Sequence, residues 1–336
     1  MTAESSTSTD WQALHGDAFA GARALVTGGA GFIGSHIVQA LRQLNADVVA
    51  FDDLSGGDWA NLQGFDQGVE CVTDSILNAS AIKDAARDCD FIFHQAALGS
   101  VPRSLNEPNL YHEVNVIGTV NVLEAARSAG VRRVVYAGSS SAYGDREADT
   151  AKVEAMAPRP LSPYAVTKLT GEYNMKVWSR CYGVDTAVTR YFNIFGPRQN
   201  ANSAYAAVIA AFTKALLTGQ TPVIHGDGEQ TRDFTYVDNA VHANLLAARC
   251  EQPIEGEVCN VACGSRISVN HLFASLADAL GCPDIQPEYQ ARRPGDVMHS
   301  LADIDKAKQL LGYTPLVSFD HGLAETARWY AANLIG

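Results

Sequence analysis

No apolar run in the 336 residues approaches the ~18 to 20 needed to cross a bilayer. The amino-terminal stretch MTAESSTSTDWQALHGDAFAGAR also lacks the basic start and apolar centre of a secretion signal. These absences predict no membrane partner and a cytoplasmic location, with residues 1–9 a frayed tail and Trp11 to Phe19 a short segment packed on the domain edge. Basic residues are scarce: 25 Lys and Arg stand against 37 Asp and Glu, a formal net charge of -12. That balance excludes nucleic acid, whose phosphates select basic faces, but leaves small anions open, because backbone amides and a few arginines can converge locally. Cysteines number only 7, and Cys259 and Cys263 are the one close pair. No further Cys or His follows at ligand spacing, so no metal is expected and the cysteines read as small apolar core residues of a reduced protein.

What is present is an alternation of short apolar runs with helical periods. Runs at 23–28, 47–53, 70–74, 90–96, 132–140 and 185–195 read as strands, and 34–44, 78–87, 110–129 and 163–182 as helices. Apolar runs without internal alternation imply strands buried on both faces. The fold class is therefore α/β, a Rossmann-type doubly wound parallel sheet with a smaller discontinuous C-terminal substrate domain. The expected division is a tail at 1–21, a dinucleotide-binding domain at 22–192 plus 235–262, and a substrate domain at 193–234 plus 263–336.

Thr27-GGAGFIGSH places Gly28, Gly31 and Gly34 between the first strand and first long helix, with Phe32 and Ile33 inside the same turn. Glycines there permit a tight turn and close approach of backbone to a pyrophosphate at the helix start. Asp52 follows eighteen residues beyond Gly34, at the end of the second strand. A carboxylate there accepts from ribose hydroxyls and repels a 2′-phosphate, so NAD is expected over NADP, with Asp53 beside it. The competing reading has Asp52 and Asp53 cap a turn. Asp74, after the third strand, is placed near the adenine, and Ala96 and Ala97 leave steric room for the dinucleotide.

Ser162-PYAVTK puts Tyr164 and Lys168 on one face of a helix that Ser162 caps and Pro163 begins. A phenol with a pKa of about 10 is a poor base. A nearby ammonium and an oxidised nicotinamide would each favour the phenolate, making the pair a proton-transfer unit. Ser139, Ser140 and Ser141 end the fifth strand, at the sheet edge where ligands bind, and a serine hydroxyl there can bridge the reacting oxygen and Tyr164. His94 reads as a satisfied structural histidine, and His36, His225 and His299 lack a partner constellation.

From about residue 22 onward the chain resembles the extended short-chain dehydrogenase/reductase superfamily, which includes nucleotide-sugar epimerases. The resemblance runs through TGGAGFIGSH, HQAALGSVPRS, SSSAYGD, SPYAVTK, RYFNIFGPRQ, GDGEQTRDFTYVDN and RRPGDVMHSLADIDKA. ALGSVPRS, the triple serine and Ala204-YAAVI are most similar to the UDP-N-acetylglucosamine 4-epimerase branch. The resemblance implies C4 epimerisation of UDP-hexoses through a transient 4-keto sugar, with Ser139, Ser140, Tyr164 and Lys168 catalytic. It implies that Lys168 lowers the Tyr164 pKa and holds the nicotinamide ribose. Asn193 and Arg232 would grip the diphosphate, and Arg293 and Asp296 would meet phosphate and uridine ribose. Gly99, Ser100, Ser141, Gln199 and Ala207 would line the sugar.

Two departures sharpen this. Relatives that dehydrate or decarboxylate carry an acid beside the first catalytic hydroxyl, where this chain has serines. Ser300 stands where glucose-restricted epimerases resemble one another in carrying a tyrosine, leaving room for a 2-acetamido group. A UDP-glucuronate epimerase or decarboxylase and a non-catalytic NAD-binding regulator are the alternatives. The apolar stripe Leu110, Val114, Ile117 and Val120 is core or oligomer interface, and the resemblance favours a homodimer through this helix and the Tyr164 helix.

Overall fold

The computed structural model describes residues 9–146, 150–200, 208–292 and 298–333. Helix α1 (Trp11–His15) precedes strand β1 (Arg23–Thr27), followed by α2 (Phe32–Gln43), β2 (Asp47–Asp52), β3 (Val69–Thr73), α3 (Ala79–Ala85) and β4 (Phe91–His94). Then come α4 (Val101–Asn106), α5 (Pro108–His112), a π-helical turn (Glu113–Ile117), α6 (Gly118–Ala129), β5 (Arg133–Ser139), α7 (Pro163–Tyr182) and β6 (Thr186–Tyr191). The remainder holds α8 (Val208–Leu217), α9 (Val237–Arg249), β7 (Glu257–Val261), α10 (Val269–Ala279), α11 (Asp305–Leu311) and α12 (Phe319–Asn333), with short strands between.

The seven strands form one sheet in the order β7-β6-β5-β4-β1-β2-β3, every pair parallel. Alternate residues along each strand enter two different apolar layers. Val26, Val48, Phe91 and Val135 pack towards α2 and α9, while Leu25, Val49, Ile92 and Val134 pack towards α3, α6 and α7. The sheet is thus covered on both faces, as its uninterrupted apolar runs require. The winding direction reverses between β1 and β4, and at such a switch point the carboxyl ends of the strands splay into a crevice. A third apolar layer, centred on Phe195, Phe212, Phe234, Phe273 and Phe319, joins α8, α10 and α12.

Several local expectations needed revision. The helix read at 110–129 is divided by the π-helical turn, and α4 stands where no helix was read. The strand read at 185–195 breaks after Tyr191 because Asn193 takes φ +41°, and only Ile194–Phe195 resumes. Residues 222–237 hold three short strands, Val223–His225, Thr231–Arg232 and Thr235–Tyr236. All seven cysteines are free, but Cys71 and Cys181 lie exposed rather than in a core, Cys71 because β3 is an edge strand. Trp11 and Phe19 are buried, Phe19 packing edge-on against Phe91 at 5.5 Å, while tail residues 1–8 lie outside the described residues. Among the described residues no helix is long and apolar enough to cross a membrane, and no His/Cys/Asp/Glu group could hold a metal ion.

Candidate active site

A cleft of about 530 Å³ runs along the carboxyl ends of the central strands. Its floor is the glycine turn after β1. Gly28 takes φ +68°, and a Cβ there would lie 2.8 Å from the Ala96 amide nitrogen. A Cβ on Gly34 would lie 2.0 Å from the Gly28 carbonyl oxygen, so only glycine lets α2 rise this close behind the turn. No side chain caps α2, the arrangement in which a helix start accepts a phosphate. Phe32, Ile33, Asp52, Asp53, Asp74, Ala96 and Ala97 line the same cleft, so every residue expected at the dinucleotide converges there.

The acids make the turn contacts that the competing reading of the sequence gives them. Asp52 accepts from the Ala30 amide at 3.0 Å and the Leu54 amide at 2.8 Å, tying the glycine turn to the segment after β2. Burial raises its carboxyl above the usual range, while those amides work to lower it. Asp53 turns the chain by accepting from the Ser55 amide at 2.9 Å and hydroxyl at 2.6 Å. Asp74 accepts from the Ser75 amide at 2.7 Å and the Asn78 side chain at 2.9 Å. Each acid therefore shapes a turn and also borders the cleft.

Tyr164 and Lys168 line the other wall from the first turns of α7, whose start Ser162 caps by accepting from the Ala165 amide at 3.2 Å. The Ser139 hydroxyl favours the ionised form of the Tyr164 phenol, but burial outweighs this and holds the phenol above its ordinary value. Tyr111, edge-on to Tyr164 at 6.4 Å, adds to the rise. The expected lowering by Lys168 is not provided by the protein alone. The Lys168 Nζ rests 4.5 Å from the Tyr136 ring centre, and burial pushes that ammonium down to about 8 against the pull of Glu172. Glu172, one turn further along α7, holds Arg190 of β6 by a pair of hydrogen bonds, one of 2.9 Å, with both groups buried.

Sequence reasoning missed the loop supports. The Tyr111 hydroxyl donates to the Ser100 carbonyl at 2.7 Å and accepts from the Ser100 amide at 3.1 Å. Asn115 accepts from the Leu98 amide at 2.8 Å and donates to Thr167 of α7 at 3.0 Å. Its signal was a buried polar residue inside an apolar period. The π-helical turn shifts the helical register there, setting Tyr111 and Asn115 inward while Ile117 is exposed. His94 is structural as read, bonded to Thr27 at 2.7 Å and Thr119 at 3.0 Å, with burial lowering its pKa to about 3.

The residues expected at the sugar nucleotide are more dispersed. Gly99 and Ser100 line the cleft. Ser141 shares a 2.8 Å hydrogen bond with Ser139, and Ser140 begins the short 3-10 turn between them and Tyr143. Asn193 donates to the Asp233 carbonyl at 2.9 Å. Gln199 donates to the Ile194 carbonyl at 3.1 Å, while its buried Oε1 has no hydrogen-bond partner among the described residues. Arg232 donates to the Thr231 and Met298 carbonyls, and Ser300 is buried beside Lys152. Ala207, Arg293 and Asp296 lie outside the described residues.

Residues 24–262 match the NAD dependent epimerase/dehydratase family. The chain is 39% identical over 312 residues to the UDP-glucose 4-epimerase of Mycolicibacterium smegmatis, covering 92% of this chain and 98% of that one. Its fold is similar to the UDP-N-acetylglucosamine 4-epimerase from Methanobrevibacter ruminantium, solved in complex with UDP-N-acetylmuramic acid. There the TM-score is 0.88, with 38% identity covering 93% of this chain and 99% of that one. A Thermus thermophilus UDP-glucose 4-epimerase solved with NAD is similar at a TM-score of 0.83 and 32% identity, covering 93% and 99%.

Proposed function

Because the chain belongs to the NAD-dependent epimerase/dehydratase family, we propose that it inverts C4 of UDP-hexoses, UDP-GlcNAc and UDP-GalNAc as well as UDP-Glc and UDP-Gal. The observation that carries this reading is convergence: Tyr164 lines with Lys168 the same cleft as the glycine turn and Asp52. Bound NAD, the cofactor of this enzyme, supplies a hydride acceptor for C4 that is regenerated within each cycle. Tyr164 takes the C4 hydroxyl proton and later returns it, while Ser139 and Ser140 hold the reacting oxygen and steady the phenolate. Lys168 orients the nicotinamide ribose. Asn115 and Tyr111 fix the loop carrying Gly99 and Ser100 against α7, so the sugar and the base keep one geometry. Asn193, Arg232, Arg293 and Asp296 hold the diphosphate and ribose while the 4-keto sugar turns its other face.

The acetamido preference rests on small and uncommitted polar groups. Ser300 stands where the resemblance puts a large side chain, and Gln199 Oε1, without a partner among the described residues, is an acceptor suited to an acetamido N–H. Ser139, Ser140 and Ser141 supply no acid to assist elimination or decarboxylation. The same reading divides the chain into 22–192 plus 235–262 for NAD and 193–234 plus 263–336 for the sugar nucleotide, in a cytoplasmic homodimer. Exposed Ile117, Val166, Tyr173 and Val177 on the π-helical turn and α7 supply the dimer face. The test is to offer UDP-GlcNAc, UDP-Glc and UDP-glucuronate separately and identify products by NMR. Simple C4 inversion of the first two is expected. Release of carbon dioxide, or turnover of the uronate alone, overturns the reading.

A further inference from the structure

Lys152, on the loop between β5 and α7, is 4% exposed. Its backbone is pinned on both sides: its amide donates to the Leu301 carbonyl at 2.9 Å, and its carbonyl accepts from the Asp303 amide at 3.0 Å and the Asn260 side chain at 2.8 Å. The backbone that carries this side chain cannot shift without breaking that bridge. Yet its Nζ makes one hydrogen bond, to Ser300 Oγ at 3.3 Å, and no ion pair with a carboxylate among the described residues. The charged groups acting on it are Arg232 and Arg146, which oppose its charge, and Asp145, which favours it. A buried ammonium with one neutral partner costs several kcal/mol. Nothing in the sheet or the apolar layers requires a lysine here.

The chemistry of the contact has a direction. An ammonium only donates, so Ser300 Oγ is the acceptor. The Ser300 hydroxyl hydrogen then has to point elsewhere, and Ser300 Oγ makes no other hydrogen bond among the described residues. Accepting from a cation also polarises the O–H, making it a stronger donor.

We infer that Lys152 is a specificity-determining positioning residue, which by donating to Ser300 fixes the Ser300 hydroxyl as a donor to the carbonyl oxygen of an N-acyl substituent at C2 of the sugar. The inference rests on the proposed epimerase function and deepens it: the substrate class is the N-acylated hexose, read through a polar relay as well as through the space Ser300 leaves.

The experiment compares kcat/KM for UDP-GlcNAc and UDP-Glc in the wild type and in Lys152→Met, Lys152→Arg, Ser300→Ala and the Lys152→Met/Ser300→Ala double variant. Methionine keeps the apolar stem and loses the donor; arginine keeps a donor. In Lys152→Met the ratio of UDP-GlcNAc to UDP-Glc efficiency is expected to fall about tenfold, mainly through KM, which corresponds to about 1.4 kcal/mol. Lys152→Arg restores part of the ratio, and the double variant is no worse than Ser300→Ala, because both changes break one relay. Equal losses for both sugars, or additive losses in the double variant, would overturn the inference, as would an unchanged ratio in Lys152→Met. If wild type turns over UDP-Glc but not UDP-GlcNAc, the acetamido reading itself fails. If it turns over UDP-GlcNAc and Lys152→Met is indifferent, only the relay fails. Should Lys152→Met not fold, by melting temperature and bound NAD, Lys152→Arg and Ser300→Ala still decide through the same ratio.

Discussion

The two walls of the cleft are built from different materials. On the dinucleotide side, residues from Gly28 to Ala97 follow strands of one sheet, and Tyr164 and Lys168 share one helix face. The residues proposed for the sugar nucleotide, Asn193, Gln199, Arg232 and Ser300, sit on bends and two-residue strands, with their amides or guanidinium already bonded to neighbouring carbonyls in three of the four. Motifs on continuous elements keep their spacing in three dimensions. Bends do not, and their side chains are set by whichever backbone groups the turn leaves unpaired. The dinucleotide wall is therefore rigid and general, and in the proposed function substrate selection falls to the residues on the bends.

The strongest way to break that division is Tyr164→Phe. Loss of the general base is expected to lower kcat by roughly 10²- to 10⁴-fold for every UDP-sugar, while NAD content of the purified protein stays unchanged. Parallel loss of bound NAD would make Tyr164 part of the cofactor grip instead. Glu172→Ala comes next: leaving Arg190 buried without its carboxylate is expected to cost about 3 to 5 kcal/mol, read by chemical denaturation. An effect below about 1 kcal/mol would mean that the pair is solvated rather than part of the rigid wall.

On the sugar wall, Ser300→Tyr is expected to lower UDP-GlcNAc turnover at least about tenfold more than UDP-Glc turnover. Equal loss would point to general damage and erase the distinction between the walls.

The smallest effect concerns acid. His15, His36 and His94 are each held down to about 3, and His242 to about 4, chiefly by burial. Unfolded, they titrate near 6.5. Between those values the unfolded chain binds more protons, so stability falls as pH drops below 6.5, by up to about 1.4 kcal/mol per pH unit for each histidine. Asp233 opposes this: burial pushes it up to about 6, so below that pH the folded form gains protons. Burial raises Asp52 and Asp238 as well, so four histidines stand against three carboxyls, and the four lie on or against α2, α9 and β4. Melting temperature should fall steadily from pH 6.5 to 4.5, with hydrogen exchange opening α1 and α2 before α10. A flat profile, or α10 opening first, would contradict the assignment.

The legibility of the sequence follows the same division. The glycine turn, Asp52, and the Tyr164–Lys168 pair could be read because strand and helix periods fix where those side chains emerge. Tyr111 and Asn115 could not, because a π-helical turn shifts the register by which an inward face is counted. Lys168's environment was also out of reach: spacing places it beside Tyr164, but only packing reveals Tyr136 beneath it and Glu172 behind it. Position along a helix predicts neighbours, and burial decides the sign of their effect.

The account depends most on hydride, rather than a proton, leaving C4 and coming back. Incubating UDP-GlcNAc carrying deuterium at C4 with the purified protein in ordinary water, and following both epimers by NMR, tests this directly. The expected result is UDP-GalNAc that retains deuterium at C4, formed without added reductant. Deuterium lost to solvent as the epimer appears would contradict it.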